Sequence, residues 1–198
     1  MTKRIHDIIE REMFFNGFTP VTSTIQREDK LGFKRLTPDA FLPTKAHASD
    51  SGFDLYASED VIIEPGATVI VPTGIAVVLP KGFEATVRPR SGVTAKTKLR
   101  VQLGTIDNGY SGAIGVIVDN IAQSNGIGSA NVVKQIDGGC DFTGATTFPN
   151  DSYIIRKGDR IAQLVVTRLP QLEAVEVFDV EESARGDRGF GSSGVTGG

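Results

Sequence analysis

The apolar positions of this chain recur with two different periods. Near the N-terminus Ile5, Ile8, Ile9 and Met13 are spaced as one face of a helix, with Thr2 as its N-cap, which predicts a short amphipathic helix over residues 2–14. Residues 15–32 are polar and mixed and predict a linker or arm, so 1–32 stand as an N-terminal extension. From residue 33 the texture changes to short β-branched runs broken by Gly, Pro, Asn and Asp. Val61 to Ile63, the turn Glu64-Pro65-Gly66 and Thr68 to Val71 predict a hairpin. Ile75 to Leu79, Phe83 to Val87 and the runs at 113–118, 161–167 and 174–178 predict further strands. Many short strands with regular turn signals, and no long helical pattern among them, predict an all-β sandwich or barrel. Two blocks of this body, 33–120 and 153–184, flank residues 121–152. That island is rich in Gly, Ser, Asn and Thr and predicts an insertion or long loop outside the core. Residues 185–198 are rich in glycine and are expected to form a mobile tail that a ligand would order.

Composition narrows the function classes. With 198 residues, 39% hydrophobic and 23% charged, the chain suits one soluble domain with an appendage. The net charge of -3 argues against a sequence-independent nucleic-acid binder, but leaves room for a small phosphorylated ligand. No run approaches the ~20 apolar residues of a membrane span. Cys140 is the single cysteine and no Cys/His spacing suggests zinc. No export signal is expected at the N-terminus, so the cytoplasm is the expected compartment, the host's if the gene is a phage's.

Five segments carry candidate chemistry. DSGFDLYA over 50–57 holds two carboxylates four residues apart. In PRSGVTAK, over 89–96, a strand ends at Pro89 and Arg90-Ser91-Gly92 opens a helical turn whose free N–H groups suit an anion. LGTIDNGYSG, over 103–112, predicts a hairpin through Asn108-Gly109, with Asp107 and Tyr110 near its tip. KGDRIAQLVV, over 157–166, sets Gln163 inside an apolar strand, where a buried amide needs partners. RGDRGFGSSG, over 185–194, fits G-x-G-x-x-G in letters. The dinucleotide reading of that pattern expects a helix after Gly194, where four residues remain. Its glycines still allow close backbone approach to a phosphate, Arg185 supplies a planar charged fork and Phe190 a ring for stacking. Taken alone, each segment reads as well as a structural turn, a satisfied core amide or a solvated tail.

Together and in this order, the five segments resemble the trimeric dUTPase family over residues 33–194. The resemblance implies a jelly-roll-like β-barrel of the dUTPase type that hydrolyses dUTP to dUMP and pyrophosphate, limiting uracil incorporation into DNA and supplying dUMP. It also implies a homotrimer with active sites at subunit interfaces, closed by the C-terminal tail. Asp107 matches the catalytic Asp that activates water for attack on the α-phosphorus. Gly104, Thr105, Ile106 and Gly115 match the hairpin that reads uracil, and Tyr110 the ring under the deoxyribose. Arg90, Ser91, Gly92 and Gln163 match phosphate contacts, and Asp54 an Asp that holds a water on Mg2+. Arg185 matches the γ-phosphate arginine, Phe190 the ring stacked on uracil, and Gly191, Ser192 and Ser193 the phosphate clamp. Where some members carry an Asn ahead of the catalytic Asp, this chain has Val101-Gln102-Leu103. Residues 121–152 are expected to be dispensable for hydrolysis and free for a protein partner. A dCTP deaminase on the same fold is the nearest rival, but needs a glutamate that the strand 113–118 lacks. A nucleotide-gated regulatory scaffold and a structural jelly-roll protein are the alternatives from other classes.

Overall fold

The computed structural model describes residues 30–123, 128–181 and 186; the helix expected over 2–14 lies outside them. In chain order the described residues form β1 (Gly32–Arg35), β2 (Gly52–Tyr56), β3 (Val61–Ile63), β4 (Thr68–Pro72), β5 (Ile75–Val78) and β6 (Phe83–Pro89). Helix α1 (Ser91–Lys96), β7 (Leu99–Val101), β8 (Gly104–Ile106) and β9 (Gly115–Asn120) follow. Then come β10 (Ser129–Ala130), β11 (Val132–Gln135), β12 (Cys140–Phe142), β13 (Phe148–Pro149), β14 (Tyr153–Ile155) and β15 (Arg160–Arg168). The all-β expectation is met.

Alternation of side chains drives the layering. In β9 Val116, Val118 and Asn120 point inward, while Gly115, Ile117 and Asp119 face out, the period of a half-buried strand. In β15 both Ile161 and Ala162 are buried, because a register shift between Arg160 and Ala162 against β2 inserts an extra residue. The sheets run β2-β15-β6-β8, β4-β9-β7, β12-β11-β14-β3, β1-β5 and β10-β13. Leu55, Leu164, Val87 and Ile106 from the first sheet join Val71, Val116 and Leu99 from the second, and Ile63 and Ile155 from the third, in one apolar cluster. The sheets thus close around a single core as a barrel.

Two expected hairpins turn out to be corners. The turn at Glu64-Pro65-Gly66 forms, with Ala67 N–H donating to the Glu64 carbonyl at 3.1 Å and Gly66 at φ 77°. Its arms nevertheless part: β3 pairs with β14 and β4 with β9. Asn108-Gly109 likewise turns the chain, with Tyr110 N–H on the Asp107 carbonyl at 3.1 Å, but β8 pairs with β6 and β9 with β4 and β7. In both places the local signal specified the turn, while burial of each arm's apolar side chains in a different sheet chose the partner. The strand expected at 174–178 is absent: residues 169–181 are irregular and join no ladder, and Val175, Val177 and Phe178 are exposed.

The island at 121–152 also departs from expectation. Instead of a loop outside the core it holds four strands. Lys134 and Gln135 of β11 pair in parallel with Tyr153 and Ile154 of β14, so the β11–β12 hairpin extends a barrel sheet. Val133 is fully buried and Ile136 packs on the core. Buried Asn120 fastens the base, its Nδ2 donating to the Ile63 and Asp151 carbonyls at 3.0 and 2.9 Å. Arg156 pairs with both Asp60 and, across the hairpin, Asp141. Val133→Ala is therefore expected to cost about 1–2 kcal/mol in denaturant unfolding; a hairpin lying loose on the surface would show no loss.

Exposed carboxylates set the acid response. Asp60 is held below the ordinary carboxylate range by the Lys157 backbone N–H and then by the Arg156 guanidinium. Asp119 is held low by the Thr68 hydroxyl and then by the Gln102 amide. Their stabilisation is present above the unfolded value of about 3.9 and is lost as pH falls through their lower folded values. Asp159 has the opposite sign: burial first, and the Asp137 charge among the lesser causes, push it up, so acidification relieves it. A scan of Tm against pH is expected to show no loss down to about pH 5 and a steep fall below about pH 4. Asp60→Asn is expected to soften that fall; an unchanged acid limb would remove Asp60 from the account.

Candidate active site

The central position of β15 assembles the first half of the site. Gln163 lies opposite Asp54 of β2 on one side and Arg88 of β6 on the other. Residues from three distant segments therefore become neighbours: Asp54, Gln163, and Arg90 just past the end of β6. Asp54 is buried, 4% exposed, and its charge is answered on both oxygens. Arg90 Nε stands 3.0 Å from Oδ1, Arg160 NH1 3.3 Å from Oδ2, and Gln163 Nε2 donates to Oδ1 at 3.5 Å. Arg90 NH1 also donates to the Arg160 carbonyl at 3.0 Å. The amide in the apolar strand, partly buried, thus has its partner, and Arg90 is held by two contacts beside open space.

That space is a cavity of about 420 Å³. Arg90, Ser91, Gly92, Lys96, Arg160 and Gln163 form much of its wall. Arg90 takes an extended conformation, φ -89° and ψ 129°, as the N-cap of α1, without a side-chain cap. Ser91 and Gly92 are exposed in the first turn, where backbone N–H groups have no intrahelical acceptor. A Cβ on Gly92 would meet nothing within 4 Å, so the pocket side of this turn is open. Three cationic side chains and unpaired N–H donors make an environment for a polyanion.

The second group lies elsewhere on the same subunit. β8 runs beside β6, Gly104 against Val87 and Thr105 against Thr86. Ile106 is buried in the core, and Asp107 follows it, exposed at the turn. Asn108 Nδ2 donates to the Pro80 and Phe83 carbonyls at 2.7 and 2.9 Å, which fixes the turn against the preceding corner. Tyr110 is half exposed and its hydroxyl donates to the Ala113 carbonyl at 3.0 Å. Gly115 opens β9 where a Cβ would overlap Ile70 Cγ2, so glycine is needed there for close packing as well. None of Gly104, Thr105, Ile106, Asp107, Tyr110 and Gly115 lines the cavity that holds Arg90 and Gln163. Gln102 is turned away to Asp119, which also accepts from the Thr68 hydroxyl at 2.7 Å. Arg185, Phe190, Gly191, Ser192 and Ser193 lie outside the described residues.

Of the pocket residues outside the candidate set, Val93, Lys96 and Arg160 lie inside the quoted segments; three more are Ile136, Asp137 and Asp159. Asp159 sits in the KGDRIAQLVV segment itself. For the other two a signal existed, since Asp137-Gly138-Gly139 is a turn sequence between β-branched runs.

The family model described as dUTPase matches residues 39–127 and 132–194. A deoxyuridine 5'-triphosphate nucleotidohydrolase of Solibacter usitatus is 40% identical over 169 residues, 83% of this chain and 96% of that protein. One of Thermobifida fusca is 39% identical over 181 residues, 90% of this chain and 84% of that protein. Among solved structures, the dUTPase of Staphylococcus bacteriophage 80alpha with dUPNHPP superposes with a TM-score of 0.80 at 35% identity, covering 84% of this chain and 99% of that one. The dUTPase of phage phi11 of S. aureus, described for its species-specific insert, gives 0.74 at 31%, covering 77% and 99%. With a family match over most of its length and relatives spanned almost end to end, the chain belongs to the dUTPase family.

Proposed function

We propose that the protein hydrolyses dUTP to dUMP and pyrophosphate, with Asp107 activating the water that attacks the α-phosphorus. The observation that carries this reading is the junction of three segments around β15, which puts Arg90, the first turn of α1 and Gln163 on one pocket of about 420 Å³ together with the cationic Lys96 and Arg160. Fixed donors of this kind stabilise charge as it develops in phosphoryl transfer without having to reorganise. Asp107 leaves the end of β8 on a turn pinned by Asn108, so its carboxylate is presented and not buried, as a base that meets a water must be. Gly104 to Ile106 and Gly115 offer backbone donors and acceptors for uracil, and Tyr110 a ring for the sugar. Arg185, Phe190, Gly191, Ser192 and Ser193 complete the reading as the closing tail.

Magnesium fits the donor set in one form. Among the described residues no cluster of three or more His, Cys, Asp or Glu could cage an ion. Asp54 stands directly behind Arg90 and Gln163, while Asp137 and Asp159 line the cavity apart from it, and carboxylates so dispersed suit an ion that arrives on the triphosphate and touches the protein through water. Bound there, Mg2+ would offset phosphate charge. A structural Mg(II) ion is described for the phage phi11 enzyme.

The homotrimer is part of the same proposal. Asp107 and Tyr110 share no cavity with Arg90 in one subunit, so a complete site calls for a neighbour. Leu172, Val175, Val177, Phe178 and Val180 form an exposed apolar run that an isolated subunit leaves wet. No helix among the described residues is long and apolar enough to cross a membrane; the cytoplasm remains the proposed compartment. A protein partner at 121–152 is a second proposal, favoured by the exposed Val132 and Phe142 of its hairpin.

The test is pyrophosphate release from dUTP with magnesium, beside UTP, dTTP, dCTP and dATP, on a sample whose mass is measured by light scattering. Turnover of dUTP alone by a trimer is the expected result. Absence of any turnover by a folded trimer would overturn the enzymatic reading, and ammonia release from dCTP would replace it with deamination.

A further inference from the structure

The cavity beside Arg90 has two walls of opposite charge. One carries Arg90, Lys96 and Arg160; facing into the same space are Ile136 and Asp137 from the turn between β11 and β12, and Asp159. Both carboxylates close local turns, Asp137 accepting the Gly139 N–H and Asp159 the Arg156 N–H, and their charge also acts on how tightly the pocket holds a polyanion. The Asp137 turn is also rigidly placed. Gln135 N–H donates to the Gly139 carbonyl at 2.8 Å, Gly138 N–H to the Gln135 carbonyl at 3.2 Å, and Gly139 N–H to Asp137 Oδ1 at 2.8 Å. Gln135 Nε2 donates to Asp141 at 2.6 Å, Arg156 fastens Asp141 to Asp60, and Ile136 packs on the core. Asp159 is pushed up first by burial, with the Asp137 charge among the lesser causes, so the two carboxylates are near enough to interact.

We infer that the insertion's turn is a working wall of the phosphate pocket, and that the Asp137 carboxylate lowers the pocket's affinity for polyphosphate so that pyrophosphate leaves readily. The inference rests on the proposed pyrophosphatase reading for what the pocket holds. Asp137 is a specificity-determining residue here, acting by its charge at the pocket and taking no part in bond breaking. It also changes the standing of residues 121–152, which would be coupled to the reaction and not merely attached to the barrel.

Asp137→Asn removes the charge and keeps an oxygen for the Gly139 N–H. Asp137→Ser does the same with a smaller group, and Asp137→Glu restores the charge. Binding of inorganic pyrophosphate with magnesium is measured by calorimetry on the full chain, alongside pyrophosphate inhibition of dUTP turnover. A like charge lining the same water-exposed pocket as a partly neutralised polyanion corresponds to a roughly three- to tenfold change in dissociation constant. Both neutral variants are expected to bind pyrophosphate three- to tenfold more tightly, by about the same factor in binding and in inhibition. The gain should shrink from about 50 to about 500 mM salt. Asp137→Glu should match the parent. Unchanged or weaker pyrophosphate binding by the neutral variants, or no pyrophosphate binding by the parent, would overturn the inference. A parent that binds pyrophosphate but leaves dUTP intact would overturn the enzymatic reading instead, and the calorimetric comparison would still decide the role of Asp137.

Discussion

Asp107→Asn is expected to keep dUTP binding while turnover falls by about 10²–10⁴, the usual contribution of a positioned general base. The substitution is nearly isosteric. It leaves the Asp107 carbonyl to accept the Tyr110 N–H and leaves Asn108 bonded to the Pro80 and Phe83 carbonyls, so the turn survives. Neutral Asn cannot take a proton from water, so the loss falls on kcat and not on affinity. The checking pair is kcat from pyrophosphate release and the dissociation constant of a non-hydrolysable dUTP analogue. A folded trimer that binds the analogue much more weakly would assign Asp107 to positioning the substrate.

Asp54→Ala is expected to lose roughly 2–3 kcal/mol of stability and to raise KM for dUTP by tenfold or more. Breaking a buried ion pair from one side typically costs about 3–5 kcal/mol, because the surviving charge is left uncompensated. Here the discount is for solvent: Asp54 is buried, but the Arg90 and Arg160 side chains are 25% and 49% exposed and water can answer part of their charge. The kinetic effect has a separate origin. Asp54 fixes the Nε edge of Arg90, and the Arg160 carbonyl fixes NH1, which aims the rest of the guanidinium at the cavity. Without Asp54 the fork must be ordered by the substrate itself, at the expense of binding. Asp54→Asn, which keeps oxygen and shape, should fall between parent and Ala in both measurements. A KM near the parent's in Asp54→Ala would show that Arg90 needs no such alignment.

Much of this is legible in the sequence alone, and what is not shares one cause. Turn chemistry reads locally, so the turns at Gly66 and Gly109 and the helical turn after Arg90 were all found. Strand partnership is decided by which apolar faces meet in the core, at sequence separations of 90 to 94 residues between β3 and β14 and 104 to 113 between β2 and β15. No local pattern carries that information, so both corners were read as hairpins. The run at 174–178 has the composition of a strand yet finds no ladder within one subunit, because a strand needs a partner and propensity supplies none. In 121–152 the polar composition masked Val133 and Ile136, two apolar residues that anchor a whole hairpin. The candidate residues that meet in the cavity, Arg90, Ser91, Gly92 and Gln163, were legible as motif positions because a charged strand end, a glycine turn and an amide in an apolar strand stand out locally. That the cavity also carries Asp137 was beyond the motifs, which do not include the insertion.

The parallel pairing of β11 with β14 has a consequence for anyone who shortens this chain. Strand β14 pairs with β3 on one side and β11 on the other, and β12 is the outermost strand of that sheet. Excising 121–152 would strip β14 of a neighbour and turn an interior strand into a bare edge, with backbone donors and acceptors free to recruit a second molecule. A truncated protein that precipitates would then report an unprotected edge and say nothing about catalysis. An informative truncation keeps β11 as a cover strand and removes only what lies beyond it.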